Sequence, residues 1–143
     1  MNLSKQFSRS DIDSLQIEEN EKTLLQLMIQ SDDQSELEKI SYQVFMQGSE
    51  RDITHNTKKI DIFLNVRKEI FKFFCTKSNI YRTQRESLKG SFKDLVLIVA
   101  TAIGTSAGIA PALITGLVAS LILLLSKIGI NAWCETYKEE YGG

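Results

Sequence analysis

With 143 residues, a net charge of −1, 43% hydrophobic residues and a single proline, the chain has room for one domain plus a membrane segment. Two cysteines and one histidine are too few for a disulfide framework or an ordinary structural zinc site, so Cys75 and Cys134 are expected as reduced thiols and no cofactor is expected. The near-neutral total conceals segregation: residues 1–57 carry five Lys/Arg against eleven Asp/Glu, residues 58–93 ten against three, and residues 94–143 two against four.

Residues 1–14 read as a flexible polar leader without the apolar h-region of a cleavable signal. The N-terminal ninety residues are therefore expected in the cytosol, as a helical bundle over 15–90. Leu15, Ile17, Leu24, Leu25, Leu27 and Met28 form an apolar stripe that predicts a helix to Gln30. Glu18, Glu19 and Glu21 lie in its first half, where the helix dipole favours them. Ser31-Asp32-Asp33 breaks the pattern. A second helix begins at a cap that Ser35, Asp32 or Asp33 could supply. Leu37, Ile40, Val44 and Phe45 give it a buried face, and Gly48 is a stop.

Ser49–His55 reads as a polar loop. Asn56 or Thr57 then caps a third helix, KKIDIFLNVRKEIFKFFC, whose apolar positions Ile60, Phe63, Leu64, Val66, Ile70, Phe71, Phe73 and Phe74 cover more than half its circumference. It is the candidate central helix of the bundle. Ser78 or Asn79 starts a short fourth helix with Ile80, Tyr81 and Leu88 facing inward, and Gly90 ends the bundle.

Leu95–Ser126 is thirty-two residues without a charge. As one helix it would run to roughly 48 Å, whereas a bilayer core of about 30 Å takes about 20 apolar residues. The run Gly104-Thr105-Ser106-Ala107-Gly108-Ile109-Ala110-Pro111 offers a break, because Pro111 disfavours helix before it and suits the first turn of a new helix. The expectation is an all-α protein: a cytosolic N-terminal helical bundle followed by a Gly/Ala-rich apolar transmembrane helix hairpin. The hairpin would occupy 91–134, with one helix over 92–106, a turn near 104–111 and a second helix from Pro111 to about Cys134. A single tilted, Pro-kinked helix and a buried core hairpin are the alternatives. Residues 135–143 read as a polar, frayed tail.

Small residues recur at every fourth position of this stretch: Ala100, Gly104, Gly108, Ala112, Gly116 and Ser120. Such a stripe lets helix backbones approach closely in lipid, and it points to homo-oligomers. Arg82, Arg85, Lys89 and Lys93 precede the stretch and Lys127 follows it. They are candidate juxtamembrane cations, which orient a span and meet anionic head groups. Trp133 would then lie at head-group level, and Asn131 would face a partner helix. Nucleic acid is an unlikely partner, because the Phe residues interleaved with the basic ones have core spacing.

No catalytic constellation is present. His55 sits among polar residues, and no Ser/His/Asp order, Gly-rich phosphate loop, HExxH or CxxC occurs. Cys75 near Lys77 could be a depressed thiol, but a buried structural thiol is the reading taken. These features lead to a non-enzymatic protein of the inner (cytoplasmic) membrane with its N-terminus cytosolic. It would be an effector or toxin-like module of the stress, lysis or antiphage type, binding a cytosolic partner through 15–90. The alternatives are a membrane-anchored adaptor and a soluble helical interaction protein with a buried apolar hairpin.

Overall fold

The computed structural model describes residues 7–48 and 56–142, and these residues are all-helical and contain no strand. In chain order the helices are α1 (Arg9–Asp13), α2 (Glu19–Gln30), α3 (Gln34–Gln43, running into a π-helical turn over Val44–Gly48) and α4 (Asn56–Cys75). A 3-10 turn (Asn79–Tyr81) leads into α5 (Arg82–Glu86), followed by α6 (Phe92–Ala107), α7 (Pro111–Ile128) and α8 (Ile130–Tyr141). The loop expected over Ser49–His55, including His55, lies outside the described residues.

The caps follow from the local sequence. Asp33 is the N-cap of α3, its carboxylate accepting from the Ser35 amide at 3.1 Å. Ser91 and Asp94 form a reciprocal capping box on α6: Ser91 Oγ accepts from the Asp94 amide at 3.2 Å, and Asp94 accepts from the Ser91 amide at 3.3 Å. The stretch expected as a flexible leader carries α1. There Asp11 accepts from the Ser8 amide at 2.8 Å, and Ile12 and Leu15 enter the core.

α7, rather than α4, is the central helix. Every residue from Ile114 to Leu125 is buried, and α7 packs against α2, α3 with its π turn, α4, α6 and α8. Full burial of a Leu, Ile or Val stabilises by roughly 1.5–3 kcal/mol. The eight large aliphatic residues in this run therefore outweigh any polar contact described below. Ile12, Leu25, Met28, Leu37, Phe45, Val66, Ile70 and Phe73 belong to the same cluster as α6 and α7. Residues of the expected N-terminal bundle and of the α6–α7 hairpin thus share one buried cluster, with N-terminal helices packed around α7.

The second apolar helix was expected to reach Cys134, but it ends at Ile128 because Gly129 takes φ +93°, a region open mainly to glycine. The chain then starts α8, which extends through the stretch expected to fray. The apolar edge of α8 explains its order. Trp133 is fully buried, and Tyr137 and Tyr141 continue its face toward α4. Asn131 is exposed.

Candidate functional site

The α6–α7 hairpin, with what covers it, is the candidate site. Its turn is built as the sequence suggests. Gly108 ends α6 at φ +71°, and the amides of Gly108 and Ile109 both return to the Gly104 carbonyl, the latter at 2.9 Å. Pro111 opens α7. At Gly104 an added Cβ would fall 2.5 Å from the Ile109 carbonyl oxygen, so the glycine is what allows so tight a return. The tip is uncharged, and Gly108, Ala110 and Ala112 are exposed.

The structure separates the small-residue stripe into different roles. Ala100 is buried in the core. Gly104 and Gly108 shape the turn, and Ala112 lies outside on the tip. Gly116 and Ser120 admit neighbouring helices to α7. A Cβ at Gly116 would collide with the Glu21 carboxylate of α2, a side chain only 3% exposed that accepts from the Glu18 amide at 3.1 Å. Ser120 Oγ donates to the Leu117 carbonyl at 2.6 Å and lies 2.8 Å from Ser41 Oγ of α3. Since the Ser120 proton goes to that carbonyl, Ser41 is the donor between the two hydroxyls.

The basic residues divide in the same way. Lys127 donates to the carbonyls of Met28 (3.1 Å) and Ile29 (2.5 Å) and reaches Asp32 at 3.6 Å. It thereby caps the C-terminus of α2 and anchors the far end of α7. Arg85 donates to the carbonyls of Lys72, Phe73, Thr76 and Ser78 at 2.5–3.4 Å, closing the C-terminus of α4. Arg82 pairs with Glu86 on the surface at 3.6 Å. Lys89 is exposed and Lys93 half-buried.

The sheath is thinnest over the outer face of α6. A groove of about 520 Å³ runs between that face and α5, lined among others by Ile80, Leu97, Ile98, Thr101 and Thr105. Ile80, expected to face inward, is 61% exposed, and Leu97 is 46% exposed. Lys89 and Asp94 stand at its end beside Leu97. Behind the groove lies a buried polar cluster. Tyr81 donates to the Glu69 carboxylate, which also meets Lys72 Nζ at 3.2 Å and, more weakly, Ser106 Oγ at 3.5 Å. Burial, reinforced by the hydrogen bond to Glu69, raises the Tyr81 phenol well above its usual range.

The opposite seam joins α4 to α8. Arg67 lies over the Tyr137 ring at 4.7 Å from its centroid and donates to Tyr141 Oη at 2.9 Å. Tyr137 donates to Glu38 at 2.6 Å, and burial followed by that bond raises its phenol as well. Cys75 and Cys134 close the seam as a disulfide, with Cα atoms 5.6 Å apart. This corrects the expectation of two reduced thiols. The cysteines are 59 positions apart in sequence, and only the packing of α8 on α4 brings them together.

Sequence reading missed Glu21, Ser41 and Glu69. The signal was present: Glu21 is on the stripe of Leu25 and Met28, Ser41 on that of Leu37 and Val44, and Glu69 on that of Val66 and Phe73. A polar residue at a core register is a buried contact. The chain matches no known family model, no curated protein and no solved structure.

Proposed function

We propose that this protein is a non-enzymatic, membrane-acting effector of the toxin-like kind used in stress, lysis or antiphage defence, stored with its membrane-entering hairpin inside a sheath of amphipathic helices. One observation carries the reading. α7 is 18 residues long with a mean hydropathy of 2.0, about 27 Å of helix against a hydrocarbon core of about 30 Å, and it is the helix that the others enclose. A core helix of a soluble protein passes that test too. What favours entry is its pairing with α6 through an uncharged tip, so that α7 can span while the shorter α6 enters with Lys93 and Asp94 held at the head groups, and no charge of Leu95–Ser126 is dragged into lipid.

The groove beside α6 is where apolar hairpin surface already meets solvent, and Lys89 at its end suits anionic head groups. In the bilayer the small residues of α7 would be free to pack against another copy, which gives homo-oligomers in the inner membrane. The N-terminal helices would stay on the face from which the hairpin enters, where a protein partner could hold or release them.

A second reading has its own support. The Ser41–Ser120 pair, the Glu21–Gly116 fit and the Lys127 cap all tie the hairpin to its sheath, as a permanent core of a soluble interaction protein requires. Mixing the protein with phosphatidylglycerol-containing vesicles, with and without a dithiol, separates the two. An effector leaves a carbonate-resistant fraction and releases an entrapped dye. A monodisperse protein that never becomes carbonate-resistant under either condition is the soluble interaction protein instead.

A further inference from the structure

We infer that the Cys75–Cys134 disulfide is a clasp that keeps the apolar hairpin sheathed, and that its reduction by a dithiol permits membrane entry. The inference rests on the membrane reading above. Cys75 is the last residue of α4, a sheath helix, and Cys134 lies in α8, directly after α7. Both helices of the hairpin, α6 and α7, lie between them in the chain. While the bond is intact, the C-terminal end of α7 cannot leave the C-terminal end of α4, so the sheath cannot part along that seam.

Three further features fit a clasp. Both cysteines are half-buried, packed at the edge of the core and not enclosed in it. The seam does not depend on the bond alone: Trp133 is fully buried, the Phe71 ring lies 6.3 Å from it, and Arg67 bridges to Tyr141. Reduction therefore loosens the seam without unfolding the protein. Finally, Trp133 Nε1 is buried and has no hydrogen-bond partner among the described residues, a desolvation cost that opening relieves.

The chemistry balances with a dithiol as the named reductant. Its thiolate attacks one sulfur and forms a mixed disulfide, and the other cysteine leaves as a thiolate and takes up a proton. The second thiol of the reductant then displaces the remaining cysteine, which is protonated in turn. Two electrons and two protons pass to the protein, and the dithiol becomes a disulfide. Cross-linking across 59 positions disfavours fully opened chains by on the order of a thousandfold in the chain-entropy treatment. Partial opening frees less of the loop, so a rise in membrane entry of about tenfold, well under that ceiling, is expected.

The test uses the full chain, oxidised or reduced with a dithiol, mixed with phosphatidylglycerol/phosphatidylcholine vesicles. The readouts are the carbonate-resistant fraction and dye release. A Cys75→Ser/Cys134→Ser variant, with its helicity checked by circular dichroism, is the third arm. Reduced wild type should enter about tenfold faster than oxidised, and the variant should enter without reductant and ignore it. Should the variant fail to fold, the two states of the wild type carry the comparison. Equal entry by oxidised and reduced protein overturns the clasp and leaves the membrane reading standing. So does a peptide map showing that the two thiols cannot be joined in air. No entry by any form overturns the membrane reading and the clasp with it.

Discussion

At Gly116 and at the buried serine pair, single side chains decide how closely the sheath fits the hairpin. Gly116→Leu would be welcome in lipid, but in this fold it drives a side chain into the Glu21 carboxylate. Overpacking of this kind costs about 1–3 kcal/mol, so the urea midpoint should fall, and vesicle association should rise as the sheath loosens. An unchanged midpoint would mean that α2 does not sit on α7 as described. Ser41→Ala removes a donor to Ser120 Oγ and should cost on the order of 1 kcal/mol. Adding Ser120→Ala should cost less than a second such loss, because both partners are then gone. A double-mutant cycle in urea measures the coupling, and strict additivity would rule out the contact.

Among the elements, α4 and α5 depend on one cation. Arg85 reaches carbonyls of Lys72 and Phe73 in the last turn of α4 and of Thr76 and Ser78 just past it, where carbonyls lack intrahelical partners. A lysine has one ammonium and lacks the planar fork. Arg85→Lys should therefore destabilise by about 1–2 kcal/mol, read as a lower Tm, and hydrogen exchange should speed up over 72–86. Loss of stability with no change in exchange there would place the role of Arg85 elsewhere. α8 shows the same dependence on contacts across the fold, since its order comes from Trp133, Tyr137 and Tyr141 lying against α4 and α7.

For the molecule as a whole, one buried and one half-buried phenol make stability sensitive to alkali. Burial, then the carboxylates of Glu69 and Glu38, hold Tyr81 and Tyr137 above the unfolded value near 10. With a raised folded pKa, the proton is bound more tightly in the native state. The stabilisation is complete below about pH 10 and is lost as pH rises toward the folded values. Urea midpoints at pH 8 and pH 11 should show the drop. Tyr137→Phe should reduce its slope, at the cost of leaving the Glu38 carboxylate without that donor. A pH-independent midpoint would show that neither phenol is protected.

All-helical character, the cap at Asp33, the turn at Gly104–Pro111 and the start of α7 at Pro111 follow from local sequence. Each depends on a few neighbouring residues: a side chain that accepts an amide, a glycine at positive φ, a proline that cannot continue a helix. Apolar periodicity likewise marked Leu25, Leu37, Val66 and Ile70 as core positions, because helix spacing alone puts them on one face. What encloses the uncharged stretch was not legible, since apolar helix surface is the same chemistry whether it meets lipid or protein. Tertiary structure decided that α2, α3, α4 and α8 take that place. It also decided that Gly116 and Ser120 face helices of the same chain, that Lys127 caps α2, and that Cys75 meets Cys134. Each of these contacts joins residues from 59 to 99 positions apart, and only the packing of helix on helix brings such partners together.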